Sequence, residues 1–316
     1  MQGTTLLRIA AVSAITILLT LPLRPASAEE AKLHFVNTKV SDRIYVLRGE
    51  GGFTGGNVAL SVGEDGVAMI DNGISSVLDM LRAETRKITD QPIDYLINTH
   101  VHGDHTGNNF AYGSDGTRII SHENLRTALV KQGVETESGK QPTPKASLPV
   151  LTFSDRMTIH INGDQAKIIH FAHAHTDGDA IVHFADDNVI HTGDIMFNKV
   201  FPYIDESNGG SLRGAIKALK VIHEMSNEET KIIPGHGPLA AKADIQRTID
   251  MMEDSLSLVQ ALVDDGKSDE EILAANPLSK YQEYHWGFIT TEKMTKQAIS
   301  AARTPADKAK THSHSH

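Results

Sequence analysis

Three imidazoles and a carboxylate fall within six residues, at His100, His102, Asp104 and His105. They follow the apolar run Tyr95-Leu96-Ile97, which reads as a buried strand. Such a set cannot all enter a packed core, because an unpaired polar group there costs free energy. In a loop at a strand end, alternating side chains point to different sides. His100 and His102 can then serve one cation while Asp104 and His105 serve a second. Imidazole nitrogen and carboxylate oxygen are the ligands that zinc takes at about 2 Å. On its own an H-x-H pair reads as solvated surface histidine, but three later pieces extend the pattern: Ala174-His175-Thr176-Asp177-Gly178-Asp179, His191-Thr192-Gly193-Asp194 and Pro234-Gly235-His236-Gly237. Each follows or ends a strand-like run, at residues 166–170, 189–190 and 231–233. Upstream, residues 67–71 form a strand that ends in an acid, Asp71, on the same rim.

The elements that must position these residues are legible in outline. Residues 43–47 and 57–62 read as strands flanking a Gly-rich segment, 48–56, expected as a hairpin loop. That loop is either a plain turn or a flap whose one apolar residue, Phe53, folds over substrate and excludes water. Residues 75–88 carry helical spacing at Val77, Leu78, Leu81 and Ile88, and residues 122–132 suggest a second helix. The polar stretch 133–147 reads as a surface loop. Further strands are expected at 157–161, 166–170, 180–184 and 188–190. Helices are expected at Leu212–Met225, 240–263, 270–275 and 291–302. The stripe Leu212, Ile216, Leu219, Ile222 is core.

The motif series resembles the metallo-β-lactamase superfamily over nearly all of the chain beyond residue 28. The resemblance implies an α/β fold, a four-layer αβ/βα sandwich of two facing sheets under outer helices. It implies a first zinc site from His100, His102 and His175, and a second from Asp104, His105 and His236. Asp194 would bridge the two, and Asp71 would brace the metal loop without being a ligand. His175 is preferred over His173 because the superfamily's ligand directly precedes Thr. Asp104 would also orient the attacking hydroxide and so act in catalysis. His191 is expected packed behind the site. His34, His122, His160, His170, His183, His223 and His285 are expected as surface or satisfied core histidines.

The β-lactamases of this layout carry Cys where this chain has Asp194, and Lys where it has Phe197. The nearest lysine is Lys199, and the chain has no Cys. Asp at that place is the pattern of glyoxalase II-like thioesterases, lactonases and phosphodiesterases. Oxygen-reducing iron members carry an acid at the position of His102. Two Zn2+ per chain are therefore expected, with iron and manganese left open.

The ends and the composition bound the rest. Arg8, the apolar stretch 9–23 and the small-residue site Ala26-Ser27-Ala28 read as an export signal cleaved after Ala28. The apolar run is shorter than the roughly 20 residues of a membrane span, and Pro22 and Pro25 interrupt it. No membrane anchor and a periplasmic or secreted location are expected. One hydrolase domain is expected over residues 29–305, followed by a disordered His-containing tail at 306–316. Without Cys there are no disulfides, so the core and the metals must hold the fold. Removing Arg8 and Arg24 with the signal takes the formal charge from −10 to −12. Such an acidic surface repels phosphate backbones, so no nucleic-acid partner is expected. The partner is a small-molecule substrate, and the sequence leaves the oligomeric state open.

The function that follows is zinc-dependent hydrolysis by a shared hydroxide, acting on a cyclic amide or ester of β-lactam or lactone type. Glyoxalase II-like thioesterase and phosphodiesterase activities stand beside it. A periplasmic zinc-binding protein without catalysis is the rival of another class.

Overall fold

Apolar side chains alternate along the strands with a period of two, and that alternation separates three cores. In β1 (His34–Lys39), Phe35 enters the outer core of the first sheet. In β2 (Ile44–Glu50), Ile44 and Val46 face the second sheet while Leu47 faces outward. β3 (Val58–Gly63), β4 (Gly66–Ile70), β5 (Tyr95–Ile97) and β6 (Arg118–His122) repeat the pattern. Ala59, Ile70, Ile97 and Ile120 point inward, and Leu60, Met69, Leu96 and Ile119 point outward.

These strands pair in chain order, antiparallel as far as β4 and parallel from β4 to β6. A small antiparallel hairpin follows, β7 (Val134–Thr136) with β8 (Gly139–Gln141). β9 (Leu151–Phe153) then closes the seven-stranded sheet beside β6.

The second sheet runs β10 (Arg156–Ile161), β11 (Asp164–Phe171), β12 (Asp179–Phe184), β13 (Val189–Phe197) and β14 (Lys231–His236), with only the last pair parallel. Ala166, Ile168, Val182, Phe184, Val189 and Ile233 meet the first sheet's inward residues in the central core. Burial from both sides explains why β4 and β13 are buried at every residue.

Helices complete the outer layers. α1 (Leu78–Arg86) places Leu81, and α3 (Asn109–Ser114) places Tyr112, against the outer face of the first sheet. Between them lies the short α2 (Gly103–Thr106), and α4 (Glu123–Gln132) follows β6. On the other side, α5 (Leu212–Met225), α6 (Lys242–Asp264), α7 (Asp269–Ala275) and α8 (Thr291–Arg303) cover the second sheet. Three of these helices start on side-chain caps, Ser211 for α5, Ser268 with Glu271 for α7 and Thr290 for α8. The result is the four-layer α/β sandwich.

The computed structural model describes residues 32–304. The expected signal segment 1–28 and tail 306–316 lie outside the described residues. Among the described residues no helix is long and apolar enough to cross a membrane.

Three differences from the sequence expectations have physical causes. The stretch 133–147 holds the β7–β8 hairpin and one 3-10 turn, its exposed polar strands carrying no apolar alternation. α2 and α3 were not anticipated, because their buried faces carry His105, Thr106, Asn109 and Tyr112 in place of aliphatic residues. β13 runs on to Phe197, past residue 190. The polar stretch His191-Thr192-Gly193-Asp194 breaks the apolar alternation before Ile195-Met196-Phe197 resumes it, and irregular pairing with β14 holds this half.

Candidate metal centre

The parallel strands set the place. The C-terminal ends of β4, β5 and β14, with the middle of β13, deliver Asp71, His100 to His105, His236 and Asp194 to one rim. Open parallel sheets bind ligands beyond the carboxyl ends of their strands. Backbone bonds tie the two sheets together here: Ala180 N donates to Thr99 O at 2.8 Å, and Asn57 N donates to Gly235 O at 2.8 Å.

Two groups of candidate ligands result. Ligand atoms of His100, His102, His175 and Asp194 lie within 4.8 Å of one another, as do those of Asp104, His105 and His236. All seven residues singled out in the sequence are brought together. Asp194 touches both groups. Its Oδ2 lies 3.7 Å from His100 Nε2, 3.6 Å from His175 Nε2 and 3.5 Å from His236 Nε2, and its Oδ1 lies 3.1 Å from His105 Nε2. Asp104 Oδ2 lies 3.1 Å from His236 Nε2 and 3.5 Å from His105 Nε2.

The backbone at Asp194 is shaped for this position. Gly193 has φ +50°, and the β13–β14 register slips on both sides of it. Irregular pairing of this kind re-aims a side chain. Across from it, Gly235 leaves the space that the Asp194 carboxylate fills, which a Cβ would occupy.

Hydrogen bonds fix which ring nitrogens face the centre. Asp71 adopts φ +57° and is fully buried. It accepts from Thr99 N and Thr99 Oγ1, each at 2.8 Å, and its Oδ2 accepts from His105 Nδ1 at 2.7 Å. With the Thr99 hydroxyl hydrogen given to Asp71, His100 Nδ1 is the donor to Thr99 Oγ1 at 3.1 Å. His175 Nδ1 donates to the Tyr203 carbonyl at 2.7 Å, and His102 Nε2 donates to Asp205 Oδ2 at 2.8 Å. The remaining nitrogens, His100 Nε2, His175 Nε2 and His102 Nδ1, are then bare lone pairs aimed at one point.

That arrangement tests whether a metal fits. His102 Nδ1 and His175 Nε2 are only 2.9 Å apart, with both partner nitrogens already donating. Two lone pairs at that distance repel unless a cation lies between them. His100 Nε2 is buried without any hydrogen-bond partner, and such an orphan is costly unless coordinated. The donor set fits a divalent cation with nitrogen and carboxylate ligands.

Before any cation binds, protonation divides the two groups. Burial pushes His175 down to about 4 and holds His100 well below its usual value, so both rings are neutral. Burial opposes charge at His105 and His236 as well. There Asp194 and Asp104 outweigh it, raising His236 to about 9 and His105 well above its usual value. Burial alone would raise Asp194, but His105, His236 and His100 hold it well below the carboxylate range.

The remaining histidines behave as expected where the structure addresses them. His173 lies outside both groups and bonds the Gly209 carbonyl at 2.9 Å. His191 is fully buried behind the centre, 3.1 Å from Asn57 O. Two residues escaped the sequence reading. Asp205 holds His102, and Tyr203 supplies the carbonyl that holds His175. Neither lies in a ligand motif. The turn Asp205-Glu206-Ser207-Asn208, in which Asp205 Oδ1 accepts from Ser207 N at 3.1 Å, was the one local signal available.

Above the centre opens a cavity of about 800 Å³. Asp104, Asp194, His102 and His236 form its floor, and Phe53, from the loop between β2 and β3, stacks on His236 with ring centres 6.0 Å apart.

The metallo-beta-lactamase superfamily profile matches residues 51–236. Among solved structures, a metallo-beta-lactamase from Pontibacter korlensis superposes with TM-score 0.58 at 17% identity, covering 70% of this chain and 100% of that one. The DIM-1 metallo-beta-lactamase gives TM-score 0.57 at 15% identity, covering 70% and 99%. Among curated proteins, the chain is 25% identical over 138 residues to the 2,4-dinitroanisole O-demethylase subunit alpha of Nocardioides sp. (strain JS1661), covering 43% of this chain and 39% of that protein. It is 21% identical over 235 residues to a linear primary-alkylsulfatase of Pseudomonas sp. (strain ATCC 19151), covering 62% and 44%. The matches thus span less than half the length of either curated relative.

Proposed function

Because the chain belongs to the metallo-beta-lactamase superfamily, we propose that it is a dinuclear zinc hydrolase that opens a cyclic amide or ester of β-lactam or lactone type. The observation that carries this reading is the Asp194 carboxylate, set between two groups of imidazoles with its oxygens within 3.7 Å of ring nitrogens in both. His100, His102 and His175 would hold one zinc, Asp104, His105 and His236 the other, and Asp194 both. Bound at such a site, zinc supplies a hydroxide nucleophile at neutral pH and polarises the substrate oxygen.

The chain's own residues do the rest. Asp104, a fifth exposed at the cavity floor, would orient the nucleophile. Asp71, Asp205 and the Tyr203 carbonyl hold the imidazoles in their ligating orientation. Phe53 closes over the bound substrate and excludes water.

Thioester hydrolysis is the second reading, favoured by a carboxylate at Asp194 and an apolar residue at Phe197. The names of the two curated relatives describe groups attached through oxygen, which supports an ester over an amide. Export to the periplasm through the segment ending at Ala28 belongs to the same proposal.

The test is turnover of nitrocefin, a γ-lactone and an acyl thioester by zinc-loaded protein and by Asp194→Ala. Chelator-sensitive turnover of one substrate, lost in the variant, supports the hydrolase. Absence of turnover of all three, with two zincs bound, favours a zinc-binding protein without catalysis.

A further inference from the structure

The cavity wall is aromatic, and much of it comes from outside the matched family region. Phe197 ends β13 and Tyr203 follows it, while Trp286 and Phe288 come from the segment before α8, beyond residue 236. The rings contact one another in sequence: Phe197 to Trp286 at 6.2 Å, Trp286 to Phe288 at 5.8 Å, Phe288 to Tyr203 at 5.2 Å. Trp286 also lies 5.8 Å from His236, so the wall reaches the candidate ligands.

This wall is anchored. Trp286 Nε1 donates to Phe201 O at 2.9 Å, and Phe201 N donates to Tyr284 O at 2.8 Å. From α8, Gln297 Nε2 donates to Pro202 O at 3.0 Å, and its Oε1 accepts from Ile204 N at 2.7 Å.

Two of the rings are nevertheless open. Phe53 is 53% exposed and Phe288 is 50% exposed, and both line the same cavity. Large exposed apolar groups gathered at a cavity rim mark a binding surface.

Charge narrows the ligand further. Among the described residues no Lys or Arg lines the cavity. Lys293 Nζ lies 5.0 Å from the Phe288 ring and donates to Phe288 O at 2.7 Å, and Lys199 does not reach the lining. Arg48, which lines the smaller neighbouring cavity, is bound to Glu50 at 2.5 Å. Of the polar side chains beyond the candidate ligands, Gln132 and Asn208 are uncharged and Asp205 is anionic. A carboxylate carried away from the reacting bond would find no counter-ion here.

Resting on the hydrolase reading, we propose that Trp286 and Phe288 set specificity for an uncharged aromatic group carried by the substrate, which slots between them and Phe53. Aromatic rings in offset or edge-to-face contact gain beyond the area they bury. A flat ring therefore fits this wall better than a saturated one of equal size.

Trp286 is the chain's single tryptophan, so its emission reports on the wall directly, without turnover. The experiment titrates the zinc-loaded full chain with acetanilide, with its saturated analogue N-cyclohexylacetamide and with 4-acetamidobenzenesulfonate. Acetanilide should change the emission saturably and bind most tightly. In Phe288→Ala, whose side chain is half exposed, its affinity should fall about 3- to 10-fold, with Tyr fluorescence and circular dichroism confirming the fold. Trp286→Phe should keep most of the affinity, read by calorimetry. In kinetics, Phe288→Ala should raise KM for phenyl acetate and leave KM for methyl acetate unchanged. Equal binding of the saturated analogue overturns the aromatic preference. Equal binding of the sulfonate overturns the exclusion of charge, and unaltered affinity in Phe288→Ala overturns the assignment of the wall. Saturable acetanilide binding with no turnover of nitrocefin, the γ-lactone, the thioester or either ester would sink the hydrolase reading and leave the wall standing.

Discussion

Asp205 Oδ2 accepts a hydrogen bond from His102 Nε2 at 2.8 Å, across 103 positions of sequence. The same carboxylate accepts from Ser207 N, Ser207 Oγ and Asn208 Nδ2. Burial works against its charge, but His102, Ser207 and Asn208 together hold it below the usual carboxylate range. An ionised, fixed acceptor pins the imidazole so that Nδ1 faces the centre. Such outer partners are worth about 10- to 100-fold in metal affinity. Asp205→Asn keeps the shape but offers a neutral acceptor, so zinc affinity at the His100, His102, His175 group should drop within that range. Competition with a chromogenic chelator measures it, and an unchanged affinity would show that Asp205 holds only its own turn.

Zinc removal should destabilise the chain. Lone pairs at His102 Nδ1 and His175 Nε2 face each other at 2.9 Å, and His100 Nε2 is buried unpartnered. A ligand bound only by the folded state raises stability by mass action, by about 4 kcal/mol at a thousandfold excess over Kd. Calorimetric Tm should therefore climb with added zinc, and metal analysis should approach two equivalents. His100→Ala and His236→Ala should each lose mainly one equivalent. Retention of both by either variant would count against the assignment of that group.

How far this centre was legible depends on how local each contact is. His100, His102, Asp104 and His105 follow β5 closely, Asp71, Asp194 and His236 lie in or at the ends of strands, and His175 lies in the loop between β11 and β12, so their residue types and spacing speak for themselves. The long helices were also legible, because Leu212–Met225 buries Leu212, Ile216, Leu219 and Ile222 at helical spacing. Asp205 was not, because its link to His102 is made only by the fold. Tyr203 acts through a backbone carbonyl, for which side-chain type carries no signal. Trp286 and Phe288 lie in a short irregular segment, and only the packing of α8 brings them over the cavity.

A pH effect on stability is expected away from the metal ligands. His122, at the end of β6, stacks on His170 of β11 with ring centres 3.6 Å apart and planes 8° apart. Burial lowers both pKa values, and His122 adds to the lowering of His170, which reaches about 4. His122 accepts from Asn124 N and donates to Ser154 O, which suits the neutral ring. The unfolded chain, with histidines near 6.5, binds protons more readily than the folded one. Stability is therefore full above about 6.5 and is lost as pH falls from there toward 4. With chelator present at every pH, the urea midpoint of the wild type should fall between pH 7 and 5 more than that of His170→Asn. Parallel lines for the two proteins would refute the assignment.

Gly193 links the two halves of the centre, and its substitution should disturb both. At φ +50° a side chain is strained whatever the space, at a cost of about 1–2 kcal/mol. An added Cβ would also stand 2.5 Å from Thr99 Oγ1, so Thr99 must move. The Thr99 hydroxyl lies between Asp71 and His100, and Asp71 in turn orients His105. A displaced Thr99 thus loosens one ligand of each group, while the strained strand shifts Asp194 beside it. Gly193→Ala should lower the urea midpoint and weaken both zinc sites together, unlike His100→Ala or His236→Ala. Gly103→Ala is the control, since nothing lies within 4 Å of its Cβ and it sits inside α2. That variant should match the wild type in stability. If Gly193→Ala lost stability but bound both zincs with wild-type affinity, the bulge would be a folding device alone, without a part in aiming Asp194.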